Sequence, residues 1–143
     1  MKVFCRLVFL LILLSAASVA QLPTAGVCKF YDPVVVRLNG TLLKKTLQPD
    51  TAGERGGGNA EAVWLLRLDS PLCVYEDKTS LSHYPGQKGV QQVELIVNQQ
   101  TAVQAALLTG NKVVATGTLS APRTAHHYTA VILTVTNIER TRR

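Results

Sequence analysis

The chain has 143 residues, fifteen Lys and Arg against nine Asp and Glu, and a formal net charge of +6, which leaves room for one modest domain around one core and not for two. The charge sits mostly at the ends: Lys2, Arg6, Arg140, Arg142 and Arg143 are terminal, so residues 21–139 carry ten basic against nine acidic side chains. A nearly neutral body lacks the Lys/Arg stripe that a nucleic-acid groove requires, and the basic tail, residues 140–143, reads as a solvated end able to touch an anionic surface.

The chain opens with the pattern of an export leader. Lys2 and Arg6 precede the apolar run Leu7 to Leu14, which is too short to span a bilayer, and Ser18-Val19-Ala20 supplies a small-x-small cleavage pattern. The expected mature chain therefore begins at Gln21, has no transmembrane segment, and is secreted or periplasmic, with residues 21–139 as its single domain. Neither Cys5 nor the TAGV preceding Cys28 suits lipid attachment. Cys5 leaves with the leader, and Cys28 and Cys73, bound for an oxidising compartment, are expected to pair. The rival reading, thiolate metal ligands, lacks any CxxC or CxH spacing.

In chain order the pattern predicts a first strand over Val34 to Leu47, with Val34, Val36, Leu38 and Leu42 on one side. The glycine-rich PDTAGERGGGNAE loop, centred on Arg55, follows. A second strand runs from Ala62 to Leu68, with Trp64, Leu66 and Leu68 in phase, and stops at the turn signal Asp69-Ser70-Pro71. Cys73 to Gly89 reads as a polar connection. A third strand, Val90 to Val97, gives way to a helix that Asn98 can cap and Gly110 can end, its apolar face formed by Val103, Ala106 and Leu107. Lys112 to Ser120 and Tyr128 to Ile138 are the fourth and fifth strands.

Three strands, a helix and two strands are the element order of an OB-like fold, a small five-stranded Greek-key barrel, with a small sandwich as the alternative. The phrases Val36-Arg-Leu-Asn-Gly40-Thr-Leu42 and Val113-Val-Ala-Thr-Gly117-Thr-Leu119 each place glycine mid-strand, where it often marks a bulge or sharp bend. In such a fold ligands lie on strands two and three, framed by the loops joining strands one to two and four to five. Here those loops carry Arg55 on one side and Arg123, Thr124, His126, His127 and Tyr128 on the other, which are the candidate binding residues. Arginine suits recognition of carboxylate or phosphate, although an exposed loop arginine is most often a solubilising charge.

The adjacent histidines invite a metal, and spacing weakens the idea, because neighbours in a strand point to opposite faces. Counting back from Val131, Leu133 and Val135 puts His127 in the core phase, as a buried hydrogen-bonding residue that orders the turn, and His126 outside. His83 is a candidate third ligand. No GxSxG, HExxH, P-loop or GxGxxG pattern occurs, and Glu76-Asp77 reads as a solvated turn. Asn39-Gly40-Thr41 matches a glycosylation sequon inside a predicted strand.

The pattern Gly110-x-x-Val113-x-x-x-Gly117-x-Leu119, followed by Thr124-x-His126-His127-x-Thr129-x-Val131, resembles a family of exported bacterial domains, domain of unknown function 4431. Gly40-Thr41-Leu42, the Trp64 to Cys73 stretch and Gln92-x-Glu94-Leu95 are similar to its earlier segments, so the resemblance runs from about Val34 to Ile138. This chain departs from the family where Tyr128 stands in place of a third histidine, and where Ser120-Ala-Pro122-Arg123 replaces an aromatic-His-Ala run. The resemblance implies bacterial export and a barrel, and brings no activity, metal or cofactor. The expectation is a non-catalytic binding module for an envelope protein, peptide or glycan, in one version an inhibitor or immunity protein against an envelope-acting enzyme. The competing expectation is a metal-dependent or hydrolytic enzyme built on His126, His127 and a carboxylate such as Asp69 or Glu94.

Overall fold

Val36, Leu38 and Leu42 are buried while Arg37 and Asn39 between them are exposed, so a period of two turns one face of the first strand into the core. In the computed structural model, which describes residues 27–47, 61–78, 83–124 and 127–142, this strand is β1 (Val35–Leu47). It is followed by β2 (Glu61–Val74), β3 (Gln87–Ile96), α1 (Gln99–Leu108), β4 (Lys112–Ser120) and β5 (Ile132–Arg140). The leader with its cleavage point after Ala20, the Arg55 loop and His126 lie outside the described residues. Among the described residues no helix is long and apolar enough to cross a membrane.

The strands form a closed ring in the order β1-β2-β3-β5-β4, antiparallel throughout except for the parallel contact of β3 with β5. This is the mainly β, OB-like Greek-key barrel expected from the element order, and closure gives every strand a neighbour on both sides. Its interior is filled by Leu42, Leu66, Val93, Val113, Leu119, Val131 and Leu133, all fully buried.

Closure depends on β1 pairing on both sides: residues 40–47 face β2, and residues 35–41 face β4. Gly40 has Leu68 on one side and Val113 on the other. A Cβ there would run into the Arg67 carbonyl, and one at Gly117 would run into the Thr134 carbonyl. Gly117 also sits where the β4–β5 register shifts. The irregularity anticipated from the sequence is seen at Gly117, and at both mid-strand glycines the missing side chain permits close backbone approach.

Three elements depart from the expected pattern. The Asp69-Ser70-Pro71 turn signal does not end β2, which continues to Val74 through an irregular register between Arg67 and Leu72. A bulge tolerates proline's missing N–H, and the extension gains its own partner: Lys29 N–H donates to Cys73 O at 2.8 Å and Tyr75 N–H to Lys29 O at 2.9 Å. Cys28 and Cys73 form a disulfide at the same place. The N-terminal arm, residues 27–34, is thus stapled along the end of β2, and Asp32 N–H ties it to Leu119 O at 2.8 Å.

α1 corrects the second expectation. Asn98 caps it as foreseen, accepting from Thr101 N–H at 2.9 Å while Thr101 Oγ1 accepts from Asn98 N–H at 2.8 Å. Its buried residues, however, are Thr101 and Ala105, with Leu108 packed against the core, while Val103 and Leu107 are 60% and 76% exposed. The capping box places Thr101 against the barrel, and helical spacing then brings Ala105 and Leu108 to the same side. Gln104 Oε1 accepts from Ile138 N–H at 3.3 Å, which fixes the helix to β5. The third departure is β5, which begins at Ile132 and not at Tyr128, because residues 127–131 are held by the contacts described below.

Gly117→Ala should destabilise the barrel by about 2 to 3 kcal/mol, read as a lower urea midpoint, since the added methyl meets backbone that cannot swing aside. Replacing both Cys28 and Cys73 by alanine should cost about 4 kcal/mol on the chain-entropy estimate for the loop they close. The same loss should appear when the wild-type chain is unfolded with reductant present.

Candidate functional site

β3 sends Val93 and Leu95 into the core, so Glu94 between them faces outward. It sits opposite Leu65 of β2 and Ile132 of β5. Leu65, Glu94 and Ile132 are nonetheless 5%, 5% and 3% exposed, so the outer face of the barrel is covered at this point. A carboxylate held there requires partners, since burying an unpaired charge is costly. It has two: Tyr128 N–H donates to Oε2 at 2.9 Å, and His127 Nδ1 lies 3.0 Å from Oε1. An ionised carboxylate only accepts, so Nδ1 is the donor in this contact and Nε2 is the ring's other nitrogen.

The backbone of Glu94 holds the same loop. Its N–H donates to Thr129 Oγ1 at 2.9 Å, and that hydroxyl donates to Val131 O at 2.6 Å. Residues 127–131 are therefore pinned to β3 through both the side chain and the main chain of one residue. This displaces the expectation that His127 lies in the core phase of β5. The segment is not strand there, and the imidazole, about a quarter exposed, lies on the outer layer beside Glu94.

The other end of the β4–β5 loop is pinned too. Arg123 Nη2 donates to the Tyr84 hydroxyl at 2.7 Å, and the guanidinium lies 5.8 Å from the ring centroid. Tyr84 is itself buried and tilts against Tyr31, with ring centroids 5.0 Å apart. The Tyr31 hydroxyl donates to Pro85 O at 2.9 Å. Burial, and then the neighbouring Tyr84, raise the Tyr31 phenol above its ordinary value near 10.0. Thr124, next to the Arg123 anchor, is exposed, and Tyr128, at the Glu94 anchor, is 50% exposed.

Of the expected site residues, Arg123, Thr124, His127 and Tyr128 share this loop, while Arg55 and His126 lie outside the described residues. Asp69 is not part of the arrangement, since Lys112 is its salt-bridge partner. His83 is engaged elsewhere, with Nε2 3.2 Å from Glu76 Oε1. Tyr84 is the residue that sequence reasoning missed. It lies in what reads as a polar connection, and its service as the seat of Arg123 spans 39 positions.

Chemically, Glu94 orients the imidazole, and His127 Nε2 has no hydrogen-bond partner among the described residues. Among those residues no group of three or more His, Cys, Asp or Glu side chains gathers to hold a metal. The arrangement is a braced loop with one oriented imidazole.

A comparison with curated proteins finds no match. A family model, Domain of unknown function (DUF4431), matches residues 92–139. That segment runs from the middle of β3 through α1, β4 and the pinned loop to the end of β5, and leaves the upstream stretches at Gly40 and Trp64 to Cys73 outside the match. The part of the chain that carries Glu94, Arg123 and His127 is thus the part similar to that family.

Proposed function

We propose that this protein is an exported, non-catalytic binding module whose ligand, an envelope protein, peptide or glycan, contacts the β4–β5 loop. The observation that carries the reading is the double bracing of that loop, by Tyr84 beneath Arg123 and by Glu94 beneath His127 and Tyr128. Residues braced before a partner arrives lose little conformational entropy when it binds, so their exposed groups contribute more of their contact energy. Tyr128 and Thr124 are the contact residues in this reading, and Arg123 and His127 set their positions. Export is supported by the leader-like residues 1–20 and by the disulfide, which persists in an oxidising compartment. An inhibitor or immunity protein is one form such a module takes.

The second reading, hydrolytic or metal chemistry on His127, is favoured by the Glu94–His127 pair, because a carboxylate at Nδ1 is how an imidazole base or ligand is commonly oriented. The two readings differ in what the oxidised chain does in solution. On the binding reading, Tyr128→Ala weakens capture of a stoichiometric envelope partner by about tenfold, and His127→Gln yields no loss of turnover because there is none. A zinc titration that releases heat and loses it in His127→Gln, or a hydrolysis that this substitution abolishes, would sink the binding reading.

Glu94→Ala leaves the Tyr128 N–H and the His127 ring without their acceptor. It should destabilise the fold by about 1 to 3 kcal/mol. Hydrogen exchange should rise at residues 127–131 ahead of the barrel strands.

A further inference from the structure

The arm stapled to β2 builds a second surface, separate from the β4–β5 loop. Phe30 and Tyr75 stand side by side on its outer face, ring centroids 5.0 Å apart, and are 56% and 46% exposed. They line an open groove of about 470 Å³ together with Asp32, Glu76, Asp77 and Lys78. Two large aromatic side chains left half in water flank a groove here, which is the composition of a recognition surface and not of a solvated turn.

Charge narrows the occupant. The chain as a whole carries +6, yet this groove sets three carboxylates against a single lysine. Glu76 is shared between Lys78, at 3.3 Å, and His83, at 3.2 Å. The Asp32 carboxylate, by contrast, has no ion pair among the described residues. Aromatic faces beside carboxylates favour a guanidinium or ammonium, which gains from both ring quadrupole and opposite charge.

We infer that the groove between the arm and residues 75–78 binds an extended peptide segment of a partner protein that presents arginine or lysine next to an apolar residue. The basic side chain meets Asp32 and the acidic lip, and the apolar one packs on Phe30 and Tyr75. This site stands independently of the loop reading, since neither Arg123 nor Tyr128 belongs to it.

The test is a nuclear magnetic resonance titration of the oxidised, isotope-labelled chain with the peptide acetyl-Ala-Arg-Pro-Leu-Arg-Ala-amide, alongside the same peptide with glutamate in place of both arginines. The expected result is that the arginine peptide shifts the Phe30 and Tyr75 signals and the glutamate peptide does not. Asp32→Asn and Tyr75→Ala, both at exposed positions, should each weaken binding by about fivefold with the thermal midpoint held. Tyr128→Ala should leave this affinity unchanged, which separates the groove from the loop. The inference is overturned if neither peptide shifts these signals, if both do so equally, or if the shifts fall on residues 123–128 instead. It is overturned equally if both groove variants bind as the wild type does, or if free N-acetylargininamide binds as tightly as the peptide.

Discussion

The barrel closes because β1 lies against β2 and β4 at once and β5 lies against β4, and at two places backbone meets backbone with nothing between. Gly40 and Gly117 supply them, one against the Arg67 carbonyl and the other against that of Thr134. From this constraint follow the closed ring, the parallel seating of β5 beside β3, and the position of the β4–β5 loop over the outer face. Hydrophobic filling then selects among sequences that can close, but the core residues alone would also suit an open sandwich.

Once β5 is seated beside β3, Glu94 has no route to water except past the loop. The register puts it between Leu65 and Ile132, so its charge must be met by groups brought to it, and residues 127–129 are those groups. A buried carboxylate is a poor contributor to stability compared with an apolar residue of similar size, and its value lies in specificity of arrangement. Here that arrangement ties residues 127–131 to β3. Tyr84 does the corresponding work for Arg123 from a different part of the chain, so the two ends of one loop are referenced to two separate elements.

Much of the architecture was legible because it rests on local signals. The period-two runs located β1, β3 and β4, Asn98 announced the start of α1, and the pairing of Cys28 with Cys73 followed from the leader and the count of cysteines. The misread elements are those settled by distant partners. Asp69-Ser70-Pro71 reads as a stop, yet the arm arriving from residues 27–34 gives β2 a reason to continue. Val103 and Leu107 look like a core stripe, yet the capping box and the small side chain of Ala105 decide which side of α1 meets the barrel. Likewise the alternation Val131, Leu133, Val135 extrapolates smoothly back to His127, and nothing local reports that Glu94, thirty-three positions earlier, interrupts it.

The ring order also dictates when the molecule can exist. β5 is inserted between β3 and β4, and both of those precede it in sequence. Until residue 140 is free to join, β3 and β4 each present a bare edge and the sheet has no closed form to collapse into. Folding therefore waits on β5: a chain that has not yet presented it carries most of its core residues without the strand that makes them a core. The same geometry makes the barrel intolerant of truncation behind Ile138 while its N-terminal arm, joined from outside the ring, is an addition to a structure already shut.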